Sequence, residues 1–221
     1  MFGWSMGKNS LLLSLFALAT AGVLAATYQL TRGQIAEAER AAAEKALLEI
    51  IPEERHDNNL LTDTRPVPGE ALETLGLDAG GEIHLARLDG RVEAAIIPAV
   101  APDGYSGDIR LIVGVNRDGS IAGVRVLTHN ETPGLGDKVE LKKSDWVLRF
   151  NGTSLEQPQL EDWRVKKDGG AFDQFTGATI TPRAVVKQVK KVLLFVREHR
   201  DLLFSDTQTE EPPEQAEGET L

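Results

Sequence analysis

Between Leu11 and Leu30 the chain reads LLLSLFALATAGVLAATYQL, twenty residues without a charge. At about 1.5 Å of helical rise per residue, such a run is just long enough to cross a hydrocarbon core of roughly 30 Å. Two readings are open: a transmembrane anchor over about 11–30, or a signal peptide cleaved near Ala25 and Ala26. The run exceeds a usual signal-peptide apolar region. Tyr28 and Gln29 make a poor cleavage context but a suitable interfacial end, so the anchor is expected, with Trp4 at a membrane interface. Flanking charge leaves the topology open, because Lys8 and the amino terminus on one side face Arg32 and Arg40 on the other.

After the apolar run, Ile35, Ala38, Ala42, Ala46 and Ile50 form a helical stripe that Pro52 ends, which predicts a stalk helix over 31–52. The periodicity then changes. EIHLARL, VEAAIIPAV, DIRLIVGVN and IAGVRVLTH read as antiparallel strands, with turn signals at Asp89-Gly90 and Asp118-Gly119. Further short strands are expected at Ser144–Phe150 and Trp163–Val165. From Pro182 to His199 the apolar residues Val185, Val186, Val189, Val192, Leu193 and Val196 fall at helical spacing, with Thr181 as expected N-cap and Pro182 as first helical residue. The fold class is α+β: one N-terminal transmembrane helix, then a curved antiparallel sheet packed by helices over 53–204. Residues 205–221 are expected to be a disordered acidic tail.

Composition removes several function classes. The formal charge is -10, but six carboxylates lie in the tail, and without them the remainder carries about -4. That lacks the basic footprint of a phosphate-backbone binder, so no nucleic-acid partner is expected. With 0 cysteines the chain forms no disulfide, no thioether-linked haem and no iron–sulfur cluster on its own thiolates. The four histidines, His56, His84, His129 and His199, show no ligand spacing, and no metal site is expected. His129 is read as an ordinary strand-end residue, and Trp146 and Trp163 as core.

Asp173 to Pro182, DQFTGATITP, carries the chemistry. It is a polar loop with Asp173, Thr176, Thr179 and Thr181 around Gly177, and it ends at a helix N-terminus. First-turn N–H groups and the helix dipole favour a phosphate there. On the residues alone a plain hydroxyl-capped turn, the commoner arrangement, stands beside the phosphate site. ETPGLG, from Glu131 to Gly136, is likewise either a plain connection or a stiff loop offering N–H groups and Leu135 to a flat ring.

DQFTGAT matches the flavinylation motif D-x-x-[ST]-G-A-T of the FMN-binding domain family at every position. Asp173 stands first, Thr176 at the Ser/Thr position, then Gly177, Ala178 and the final Thr179. GYSGDIRLIVGV, HNETPGLGDKV and the single anchor extend the likeness over roughly residues 7–200. The chain thus resembles the G subunit of the Rnf electron-transport complex more than the C subunit of the sodium-translocating NADH:quinone reductase, which stays as the alternative. The resemblance implies FMN bound covalently by a phosphoester to Thr179, a phosphoprotein-type link made by a flavin transferase from FAD. It implies that Thr176, Gly177, Ala178, Thr181, Glu131, Thr132, Leu135 and Gly136 surround the cofactor. It further implies a redox-carrier subunit without turnover of its own, in an ion-translocating complex of the bacterial inner membrane. The chain would be single-pass, with residues 53–204 as a periplasmic FMN-binding domain and the other Rnf subunits as partners. The Lys166–Gly170 loop is either a transferase docking element or a solvated turn. A non-redox anchored binding or assembly module is the remaining class.

Overall fold

The computed structural model describes residues 2–205, so the acidic tail and the side chain of Trp4 lie outside the described residues. The chain divides into two units, Met1–Lys45 and Ala46–Leu221. Helix α1 is Phe2–Leu48. Within it Ser10–Gln34, 25 residues, is long and apolar enough to cross a bilayer. Leu11 through Leu30 expose their large apolar side chains, as a lipid-facing surface requires.

The second unit is built on one sheet of strands β1 (Thr64–Pro66), β2 (Glu82–Leu88), β3 (Arg91–Gly104), β4 (Gly107–Asn116) and β5 (Ile121–Thr128). All neighbours are antiparallel and stand in chain order. Register shifts at Ala86/Arg87, Ala101/Gly104, Arg110/Leu111 and Gly114/Val115 bend and twist it. VEAAIIPAV is almost continuously apolar because both faces of β3 are covered. Ala95, Ile97 and Ala99 join the main core, while Ala94 and Ile96 join a second cluster with Leu47, Ile50, Ile51 and Leu60. On that second face the buried Arg125 donates to Glu49 through Nε, at 2.9 Å. Pro98 sits beyond the last β2 partner, Ile96, so its missing N–H interrupts no ladder on that side.

The main core is closed by helix α3, Ile180–Glu198. Val185, Val189 and Val192 are fully buried, each worth about 1.5–3 kcal/mol relative to an exposed position. The short helices α2 (Leu72–Leu75) and α4 (Arg200–Phe204) pack beside it.

Between β5 and α3 the chain forms short 3-10 turns, not the expected strands. Ser144 Oγ accepts the Trp146 N–H at 3.2 Å and starts a 3-10 turn over Asp145–Phe150. The four-residue spacing of Trp146 and Phe150 brings their rings together, edge to face, at 5.3 Å. Val165 makes one isolated bridge, to Phe172. Aromatic packing among Trp146, Phe150, Trp163, Phe172 and Phe175 replaces a ladder here. Helix α3 begins at Ile180, with Thr179 in the capping position, two residues earlier than expected. Pro182 falls inside the first turn, where its missing N–H would have had no helical partner in any case.

Candidate functional site

Three connections meet at one end of the sheet. The β3–β4 turn supplies Tyr105, the loop after β5 supplies Glu131, Thr132, Leu135 and Gly136, and the α3 approach supplies Gly177, Ala178, Thr179, Ile180 and Thr181. They enclose a cleft of about 310 Å³, within the roughly 300–1,000 Å³ typical of small-molecule sites. The residues that the two sequence motifs were expected to place around the cofactor are therefore neighbours, except Thr176, which is exposed outside the lining.

Local chemistry explains each wall. In the first loop the N–H groups of Leu135 and Gly136 both return to Thr132 O, at 3.1 and 3.0 Å. In the motif loop Ala178 N–H donates to Phe175 O at 3.1 Å, closing a turn around Gly177, whose φ of 82° suits glycine. The start of that loop is tied down by Trp146, whose Nε1–H donates to Asp173 O at 2.7 Å. Asp173 itself is exposed and pairs with Lys166 at 2.6 Å.

The buried Glu131 carboxylate joins the three walls. Its Oε1 accepts the Ser106 N–H at 2.9 Å, and its Oε2 accepts the Thr181 hydroxyl. Two glycines make room for it. A Cβ on Gly136 would lie 2.8 Å from both Glu131 Oε2 and Thr181 Oγ1. A Cβ on Gly104 would lie 2.9 Å from Glu131 Oε1 and collide with Gly107 O. Thr181 is thus a buried strut and not the expected cap.

Thr179 behaves differently. It lines the cleft, is half-buried, and its side chain makes no capping hydrogen bond. Thr179 occupies the capping position of α3, the end where first-turn N–H groups have no helical partner and the helix dipole is positive. Tyr105, Ile180 and Leu135 expose 68%, 44% and 42% of their surface around this opening, enough apolar area to receive a flat ring. Tyr105 and Ile180 were not singled out by the sequence. The GYS turn signal and the position of Ile180 just after the motif were the available cues. The set of donors at a helix start, a free hydroxyl and an apolar rim fits a phosphate-bearing aromatic cofactor.

Charge around the first turn of α3 is paired. Arg183 Nε meets Asp168 at 2.6 Å, and Lys187 Nζ meets Asp103 at 2.5 Å. The Arg183 hydrogen bond holds the Asp168 carboxyl below the ordinary carboxylate range, and Lys187 does the same for Asp103. His129, expected as an ordinary strand-end residue, is a half-buried member of the site's support: it accepts the Glu131 N–H and meets Glu140.

Residues 104–194 match the FMN-binding domain family, and residues 1–50 match the RnfG N-terminal region. The chain is 50% identical over 214 residues to the G subunit of the ion-translocating oxidoreductase complex of Pseudomonas aeruginosa strain UCBPP-PA14, covering 97% of this chain and 96% of that one. It is 46% identical over 198 residues to the corresponding G subunit of Vibrio atlanticus, covering 90% and 93%. Among solved structures, NqrC of Shewanella oneidensis aligns with a TM-score of 0.42 at 21% identity, covering 64% of this chain and 67% of that one.

Proposed function

Since this chain belongs to the G-subunit family of ion-translocating oxidoreductase complexes, we propose that it is the anchored electron carrier of such a complex, holding FMN by a phosphoester to Thr179. The observation that carries the reading is the contrast among the three threonines of the motif loop. Thr176 is outside the cleft, Thr181 is spent on Glu131, and Thr179 alone presents an uncommitted hydroxyl inside it. Attachment joins Thr179 Oγ to the FMN-side phosphorus of FAD while the bond to the AMP phosphate breaks. AMP leaves and the hydroxyl proton passes to solvent, with a flavin transferase as catalyst.

The start of α3 would hold the phosphate, and Tyr105, Leu135 and Ile180 would receive the ring. A link through the phosphate leaves the ring's electronics to its contacts, so these side chains would set the potential. Covalent retention suits a domain on the periplasmic side of the inner membrane, where a lost cofactor is not readily replaced. The helix Ser10–Gln34 is the one candidate anchor among the described residues, and the partners are the other subunits of the complex. The identity to G-subunit relatives over nearly the whole chain favours this assignment over the C subunit of the sodium-translocating reductase.

The test is coexpression of the full chain with a flavin transferase, followed by peptide mass analysis across Asp173–Arg183. An FMN-sized adduct on Thr179 that survives denaturation is expected, and it disappears in Thr179→Val. An unmodified peptide from wild-type protein under the same conditions would overturn the reading.

A further inference from the structure

Glu131 does not hold itself in place. Its backbone N–H donates to His129 Nδ1 at 2.9 Å, and on the far side of the ring His129 Nε2 faces Glu140 Oε1 at 2.8 Å. These two bonds specify the ring. A nitrogen that accepts an N–H carries no proton, and an ionised carboxylate only accepts, so the proton sits on Nε2. The side chain of His129 is 7% exposed and that of Glu140 36%, so the chain of bonds runs from the backbone of the buried Glu131 outward to a partly solvated carboxylate. His129 is not part of the cleft lining and acts through its neighbour.

We propose that His129 is a positioning residue: as the neutral Nε2–H tautomer it fixes the Glu131 backbone against Glu140, so that the Glu131 carboxylate bridges Ser106 and Thr181. The two glycines leave that carboxylate little alternative space, since a single added carbon at either would touch it. A rotation of the Glu131 backbone therefore withdraws the bridge from both partners together. The β3–β4 turn with Tyr105 and the first turn of α3 with Thr179 and Ile180 then lose their common tie. The functional consequence, correct presentation of Thr179 for FMN attachment, rests on the reading of the cleft given above. The hydrogen-bond assignment does not.

Asparagine and glutamine separate the two ends of the ring. Asn places its amide oxygen near the position of Nδ1, and Gln reaches with its amide NH₂ toward the position of Nε2. The experiment uses the full chain in detergent micelles, labelled with ¹⁵N-histidine; with four histidines the imidazole spectrum is assignable by substitution. The expected spectrum shows His129 protonated at Nε2 and bare at Nδ1. In hydrogen–deuterium exchange, the peptide containing Glu131 should exchange about tenfold faster in His129→Gln, and near the wild-type rate in His129→Asn. Glu140→Ala, at the partly solvated end, should fall between them without disturbing the core. With transferase and FAD, the rate of FMN attachment should run in the reverse order, slowest in His129→Gln, and the visible circular dichroism of attached flavin should weaken in the same variant.

An Nδ1–H tautomer overturns the proposal, as does unchanged exchange in both His129→Gln and Glu140→Ala. If wild-type protein fails to take FMN while tautomer and exchange behave as stated, the cofactor reading fails and the positioning role stands. If wild-type loads and every His129 variant exchanges and loads as it does, the positioning role alone fails.

Discussion

Thr179 and Thr181 stand two residues apart in the same turn, yet their hydroxyls have opposite fates. Thr181 donates to a buried carboxylate, and Thr179 faces open space. Thr181→Val keeps the shape and removes the donor, leaving Glu131 Oε2 buried with one partner fewer. A loss of about 1–3 kcal/mol in urea unfolding is expected, and Thr181→Ser should recover most of it. Thr179→Val, which abandons no hydrogen bond, should leave the urea midpoint within error of wild type. Both threonines were legible as candidates, since hydroxyls gather at helix starts and the motif names them. What divides them was not legible: the partner that claims Thr181 is Glu131, 50 positions away, and only the fold brings the two segments together. His129 was undervalued because both of its partners, Glu131 and Glu140, follow it in a loop that has no periodicity to reveal them.

Strands and helices declare themselves by repeat, and β2 to β5 and α3 all follow their sequence patterns within a few residues. The connection from His129 to Thr179 does not. There Ser144–Phe150 offered aromatic and β-branched residues that suit a strand, but Ser144 and Asp145 start a tight turn, and ring packing decides the rest. Trp146 shows how such a segment serves the site, since its indole N–H holds Asp173 O. Trp146→Phe keeps most of the packing and drops that bond. A cost of about 1 kcal/mol is expected in thermal or urea unfolding, with faster proteolysis within Asp173–Thr179.

The exposed pair Asp168–Arg183 joins the loop before the motif to the first turn of α3. Because the Arg183 hydrogen bond lowers the Asp168 pKa, the folded chain binds that proton less readily than the unfolded chain. The resulting stabilisation is complete above the ordinary carboxylate range and is lost as pH falls through the lower folded-state value. Asp168→Asn should therefore lose less thermal stability than wild type between neutral pH and about pH 3. The difference between the two should shrink in high salt, as expected of a solvated pair.

At the scale of the whole chain, the boundary near residue 45 separates a segment with a lipid-compatible surface from a body with its own core. The second sheet face begins its cover at Leu47, Ile50 and Ile51. A chain starting at residue 46 should be soluble without detergent and keep the thermal midpoint of the body. One starting at residue 53 uncovers Ala86, Ala94, Ile96 and Ile112 and should aggregate, which size-exclusion chromatography will report.

The strands add in chain order, but the walls of the cleft do not arise beside one another. They come from the β3–β4 turn, from the loop after β5 and from the first turn of α3, and the last of these becomes available only when nearly all of the body has been synthesised. The cleft is consequently finished only when α3 docks. With the proposed attachment to Thr179, an enzyme that reads the completed cleft would load finished molecules and pass over nascent ones, and cofactor content would become a record of successful folding.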